Sequence, residues 1–258
     1  MQQPTAGALP SAHSRLYIWP DHWQVWGRVM PNRTHRHSTA SLLVGIRGPF
    51  ELECGGHWRT TRAALVAPDV PQALNPGETD MWVAQLDPDS QPWMQLKGLL
   101  LGQPSVDLDP AVARLAQSQP PDCGAMQQTL AALLAECGGQ PAALDQRVAV
   151  CCQLLRREMP ERLNLTDLAT RVGLSPSRLT HLFRNETGVS PRRFLLQLKM
   201  HRAMASWSPG KTVSEIAAEG GFYDQPHLVR TARDLFDALP SLYAGNGWFQ
   251  VCRCDPVS

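Results

Sequence analysis

Long apolar runs are missing from this chain. No hydrophobic segment approaches the roughly 20 residues that span a bilayer, and residues 1–14 lack the charged start and apolar core of a secretory signal. Both absences point to a cytoplasmic protein with no membrane partner. Charge of either sign is scarce as well: 24 Lys and Arg stand against 23 Asp and Glu, a formal net charge of +1. The whole-chain average therefore carries no electrostatic footprint of a polyanion-binding protein, although an average can hide a local field. The seven cysteines are an odd number without a leader, so reduced thiols are the expectation. At 258 residues the chain is long enough for two domains with cores of their own.

Against these absences stands a repeat in the last hundred residues. Leu168-Ala169-Thr170-Arg171-Val172-Gly173-Leu174 returns as Ile216-Ala217-Ala218-Glu219-Gly220-Gly221-Phe222, each followed by an amphipathic segment. A helix-turn-helix needs a small residue where its helices meet, here Ala169 and Ala217. It also needs, four positions on, a glycine able to take positive φ, here Gly173 and Gly221. Ser175 and Pro176 then read as cap and first-turn residue of one second helix, and Asp224 and Pro226 of the other.

In the first copy Leu179, Leu182 and Phe183 share a face, which leaves Ser177, Arg178, Thr180, His181 and Arg184 pointing outward. In the second, Leu228 and Leu235 anchor the helix, and Gln225, His227, Arg230, Thr231 and Arg233 are the outward set. Such side chains bond base edges and phosphates. Over 161–244 there are 11 Lys or Arg against 8 Asp or Glu, a small excess that matters only if gathered on these faces. Residues 192–207 read as one long helix joining the copies, a rigid spacer for two reading heads on successive major grooves, about 34 Å apart.

Over residues 160–245 this arrangement resembles the DNA-binding domain of the AraC/XylS family of bacterial transcription regulators. The motifs that carry it are Leu168-Ala169 to Gly173-Leu174-Ser175, Leu182-Phe183-Arg184 to Gly188-Val189-Ser190-Pro191, and Glu215-Ile216-Ala217 to Gly221-Phe222-Tyr223-Asp224-Gln225. The resemblance implies a double-stranded DNA operator, a contact with RNA polymerase and a homodimer. It implies base contacts from Ser177, Arg178, Thr180, His181, Gln225, His227 and Arg230, with Arg184 and Arg233 on phosphates. Four positions depart from the family pattern: Lys199, Ser206-Trp207, Ala232 where phenylalanine is usual, and Asp237 where glycine is usual. Ala232 implies a weakened core under the second reading helix unless Phe236 or Trp207 refills the space.

The first hundred residues have a different texture. Short β-like runs at 24–30, 41–46, 50–54, 63–67 and 81–86 are broken by Gly48-Pro49, Gly55-Gly56 and Pro68-Asp69-Val70-Pro71, which suggests a small antiparallel barrel or sandwich. His35-Arg36-His37 and Ala67-Pro68-Asp69-Val70-Pro71-Gln72 resemble the two motifs of a cupin, a common sensor barrel in regulators of the family above. A catalytic cupin needs several His and carboxylate ligands on one metal. Here the downstream carboxylate is absent and Gln72 stands where a histidine would close the site. The expectation is no catalytic residue, no metal and no cofactor, with His35, His37 and Gln72 set to bind a small-molecule effector. Six of the eight tryptophans (Trp19, Trp23, Trp26, Trp58, Trp82, Trp93) lie in this half, most for core packing and one or two for a pocket.

The fold class is α+β: a cupin-like barrel with flanking helices over 1–105, a helical linker or dimerisation layer over 106–158, and an all-α double helix-turn-helix domain over 159–258. Helices at 111–117, 125–136 and 142–158 fill the middle layer, with Leu130, Leu133 and Leu134 on one side of the second; the resemblance implies that these helices make a dimer contact, and they can also cover the barrel. The functional expectation is a sequence-specific transcription regulator whose operator binding is modulated by an effector in the barrel. The alternatives are a thiol- or metal-responsive regulator, through Cys252 and Cys254 or Cys151 and Cys152, and a cupin-type metalloenzyme.

Overall fold

The computed structural model of the chain describes residues 14–116, 121–138, 142–208, 210–237 and 249–254. Pro20-Asp21 forms a two-residue turn that folds β1 (Ser14–Trp19) onto β2 (His22–Gly27), with Trp19 opposite His22. The short β3 (His35–Arg36), β4 (Ala40–Gly45), β5 (Phe50–Cys54), β6 (His57–Thr61), β7 (Ala63–Val66), β8 (Pro71–Asn75) and β9 (Met81–Leu86) follow. After them come helix α1 (Gln91–Leu96) and β10 (Ser105–Asp107). Near the end of the chain β11 (Phe249–Arg253) returns to pair in parallel with β1.

Two sheets result, one in the order β10-β7-β4-β9-β2-β1-β11 and one in the order β3-β8-β5-β6. Between them lies a core of Leu16, Ile18, Trp23, Val25, Leu43, Phe50, Leu52, Leu74 and Val83. The larger sheet is buried on its outer face too, where Tyr17, Trp19, Trp26, Leu42 and Trp82 pack beneath α1, a short 3-10 turn (Pro110–Leu115) and α2 (Cys123–Cys137). With both faces covered, β2, β4 and β9 are buried along their whole length instead of alternating between buried and exposed residues.

Leu130 and Leu133 of α2 are buried in that outer core, with Leu134 partly buried beside them. The leucine face thus covers the barrel. Cys123, at the head of α2, is joined to Cys254, which corrects the expectation of reduced thiols throughout. The pair is 131 residues apart and is brought together by the return of β11. That return also corrects the 159–258 boundary, since 249–253 belong to the larger sheet.

The helical part begins earlier than expected. In α3 (Gln146–Glu158) Val148, Cys151, Cys152 and Leu155 share a core with the first helix-turn-helix, so α3 is part of that unit more than a linker. The remaining helices are α4 (Leu165–Arg171), α5 (Pro176–Thr187), α6 (Pro191–Ser206), α7 (Val213–Glu219) and α8 (Gln225–Phe236). Arg156 ties them to the barrel: its guanidinium meets the buried Asp87 at 2.7 Å and Asp89 at 2.5 Å, just beyond the end of β9. Among the described residues no helix is long and apolar enough to cross a membrane. The overall class is α+β, a β domain with flanking helices followed by an all-α unit, as expected.

Candidate DNA-binding face and effector cavity

Both turns form as their residues dictate. Gly173 and Gly221 adopt φ of 68° and 77°, a conformation that penalises a Cβ. Ser175 accepts the backbone N–H of Arg178, and Asp224 that of His227, so each second helix starts at the residue its cap specifies. Thr212 and Glu215 close a reciprocal capping box at the start of α7. Leu179 and Phe183 are wholly buried under α5, and Leu228 and Leu235 nearly so under α8.

On α5, Ser177, Arg178, His181 and Arg184 are exposed. Thr180 is half-buried and its hydroxyl donates to the Pro176 carbonyl at 2.9 Å. On α8, Gln225, Arg230 and Arg233 are exposed, and Gln225 accepts from Ser214 Oγ at 2.8 Å. His227 is half-buried, its ring edge-on to Phe222 at 5.2 Å. Thr231 is a correction: only 6 % exposed, it faces inward. From Leu228, steps of three, four and seven reach Thr231, Ala232 and Leu235, so Thr231 belongs to the buried stripe.

Carboxylate–guanidinium pairs tie both helical units to the barrel. Asp69, between β7 and β8, lies 3.2 Å from Arg184 of α5 and 3.2 Å from Arg193 of α6. Asp237, just past α8, accepts from the Arg33 guanidinium at 2.8 Å and from the Arg33 backbone N–H at 2.8 Å. Those bonds hold the Asp237 carboxyl below the usual range. Asp237 has φ of 50°, an αL helix end of the kind glycine commonly fills, and its side chain supplies the bond glycine lacks. The segment beyond it, Ala238 to Tyr243, lies outside the described residues.

Between the barrel and α6–α8 lies a cavity of about 210 Å³. Its floor is Leu16, Trp23, Val25, Leu43, Leu74 and Val83 from the strands, with Phe249 and Val251 of β11. Its roof is Met200, Ala203, Met204 and Trp207 of α6, Ile216 of α7, and Leu228, Ala232 and Phe236 of α8. Ala232 borders this void, and so do Phe236 and Trp207, the two side chains that could have refilled its space. That space opens into the barrel and forms one void with it.

His35, His37 and Gln72, the three residues selected from sequence, all line this void. His35 faces Gln72 across β3 and β8. Gln72 donates to Ser41 Oγ at 2.9 Å, and Ser41 and Thr39 donate to Gln85 Oε1, another lining residue. The two imidazoles bond each other, Nε2 to Nε2 at 2.9 Å, while His35 Nδ1 donates to the Arg33 carbonyl at 2.7 Å. Burial lowers the pKa of both rings, that of His37 furthest. Among the described residues no three His, Cys, Asp or Glu side chains converge as metal ligands would.

Of the tryptophans, Trp23 and Trp207 line the void, Trp19, Trp26, Trp82 and Trp93 are core, and Trp58 is exposed. Sequence reasoning missed the whole roof, for which the alanine at 232 was the one available signal. It also missed Asp69, which lay within the quoted Ala67 to Gln72 motif as a turn residue.

A family model described as a helix-turn-helix domain matches residues 168–246. The arabinose operon regulatory protein of Escherichia coli is 29 % identical over 100 residues, 38 % of this chain and 34 % of that protein. An uncharacterised HTH-type transcriptional regulator of Staphylococcus aureus is 27 % identical over 103 residues, 40 % of this chain and 14 % of its own length. The match thus spans about a third or less of these relatives. Among solved structures, ToxT of Vibrio cholerae aligns over 87 % of this chain and 98 % of its own at a TM-score of 0.56 and 9 % identity. ToxT with an unsaturated fatty acid bound aligns over 95 % of this chain and 97 % of its own, with a TM-score of 0.54 and 10 % identity. At such identities the likeness is one of fold. Residues 168–246 thus match a helix-turn-helix domain, in the same stretch that is similar to these regulators.

Proposed function

We propose that this chain is a sequence-specific DNA-binding transcription regulator whose operator affinity is set by a small-molecule effector held between the barrel and the second helix-turn-helix. The observation that carries this reading is the composition of the cavity: strand residues form its floor, and the reading helix α8 supplies its roof through Leu228, Ala232 and Phe236. A ligand there touches sensor and reader at once. Its leverage is its differential affinity for the two arrangements of α8. ToxT with a bound unsaturated fatty acid supports the idea that this fold accommodates an organic ligand.

Base reading falls to Ser177, Arg178 and His181 on α5 and to Gln225, His227 and Arg230 on α8, and phosphate contacts to Arg184 and Arg233. With Asp69 on Arg184 and Arg193, and Asp237 on Arg33, the arrangement described is one in which barrel contacts compete with DNA for α5 and tether α8. This reading assigns the chain no catalytic step. A cytoplasmic location, a homodimer on paired half-sites and a contact with RNA polymerase complete it.

The test is fluorescence anisotropy of the full chain on DNA from its own promoter region and on random DNA, across a salt series and with candidate ligands. Preference for promoter DNA that a ligand shifts supports the proposal. Equal affinity for both DNAs at every salt concentration refutes it.

A further inference from the structure

The cavity has no charged side chain in its lining. Arg193, the cation that acts on the His37 ring, is engaged by Asp69 at 3.2 Å and by the Arg36 carbonyl at 3.0 Å. An anionic ligand would find no counter-charge in this apolar space, and an ionised carboxylate without one is strongly disfavoured there. What the lining does hold is a pair of polar atoms without partners: Trp23 Nε1 and His37 Nδ1 are both buried and bonded to nothing. Buried polar atoms are normally satisfied, so two orphans on one void ask for an explanation.

Their hydrogen-bonding roles follow from the chain of bonds leading to them. A carbonyl oxygen only accepts, so His35 Nδ1 carries the proton it donates to Arg33 and His35 Nε2 is left with a lone pair. His37 Nε2 must then be the donor across the 2.9 Å contact, which leaves His37 Nδ1 a bare acceptor. Trp23 Nε1 is a donor and nothing else. Both rings pack against Phe236, whose centroid is 5.6 Å from that of Trp23 and 5.3 Å from that of His37. The phenyl at the end of α8 thus sits against both rings that bear the unmatched atoms.

Resting on the effector reading above, we infer that the ligand of this cavity is an uncharged, largely apolar alcohol or phenol whose hydroxyl donates to His37 Nδ1, and not a carboxylate. Trp23 offers a second polar point, an N–H for an acceptor on the ligand. Most of the remaining lining is thioether and hydrocarbon, as from Met200, Met204 and Leu228, beside the amides of Asn32, Gln72 and Gln85. A void of about 210 Å³ exceeds the roughly 150 Å³ that suffices for benzene. Phe236, packed against both rings, borders the same space, so a ligand at His37 Nδ1 crowds the end of α8.

Isothermal titration of the full chain near pH 7.5 with 2-naphthol, 2-naphthoate and naphthalene separates the possibilities, because the three share a ring system and differ only in the polar group. The naphthol is expected to bind at least about tenfold more tightly than the naphthoate and several-fold more tightly than naphthalene. His37→Leu should erase its advantage over naphthalene, and His37→Gln, which restores an acceptor oxygen, should return part of it. Naphthoate binding as tightly as naphthol overturns the ligand class and leaves the effector reading standing. Naphthalene equal to naphthol overturns the role of His37. Failure of all three to bind overturns this inference, while the effector reading is decided separately by the promoter titration. The ranking on the unaltered protein decides the matter even if a His37 variant does not fold.

Discussion

Replacing Ala232 by phenylalanine should both stabilise the protein and close its cavity. Ala232 is 4 % exposed and lines the void directly, so a larger side chain grows into empty space. At about 24 cal/mol per Å³ of cavity, the 210 Å³ void withholds on the order of 5 kcal/mol of packing. A phenyl group occupying roughly half of it recovers about 2–3 kcal/mol, and for a chain of this size that raises Tm by about 5–10 °C. Thermal melts followed by circular dichroism read the first effect, and titration with 2-naphthol, which should no longer bind, reads the second. Promoter affinity supplies a third reading, because Ala232→Phe should make it insensitive to any effector. A Tm at or below that of the parent chain, or naphthol affinity unchanged, would show that position 232 does not border usable space.

Three further outcomes are expected. Asp69→Asn frees Arg184 and Arg193; affinity for random DNA should rise by up to about fivefold, the scale of an exposed ion pair, with a steeper salt dependence, and an unchanged anisotropy titration would count against the clamp. His181→Ala and Arg230→Ala should relax base preference by about 1–3 kcal/mol at the affected positions, whereas Arg184→Ala should weaken all sequences alike and flatten the salt slope; parallel losses on promoter and random DNA for all three would remove the distinction. Stability should fall as pH drops below about 6.5: burial lowers the pKa of His35, His37 and His201 in the folded chain, so the unfolded chain takes up protons first. A urea midpoint no lower at pH 5.5 than at pH 7.5 would contradict that sign.

The helical half was legible because its signals are local. Ser175, Asp224, Gly173 and Gly221 each fix the backbone within a turn of themselves, and α5 and α8 start where those residues require. The strands centred on Leu43, Leu52, Leu65 and Val83 were legible for the same reason. β1 was not, since both faces of its Trp- and Tyr-bearing run are buried and no alternation marks it. Nor was β8, whose opening Pro71 reads as part of a turn although proline is tolerated at a strand's first residue. Thr231 was misplaced because a polar residue was counted by chemistry before its spacing from Leu228 and Leu235 was weighed. The polar end of the cavity followed from His35, His37 and Gln72, while its roof depends on how two distant units meet, which no window of sequence contains.

The return of β11 to the barrel changes what kind of object the DNA-binding unit is. α3 through α8 are an insertion whose two ends both lead back to the barrel, one through α2 and one through β11, and the bond between Cys123 and Cys254 joins those flanks. A reader hung on a single strand of chain can swing freely and report little of what its sensor feels. One fastened at both ends is confined to a narrower range of orientations. A cut made to isolate the helices would also take a strand out of the sheet.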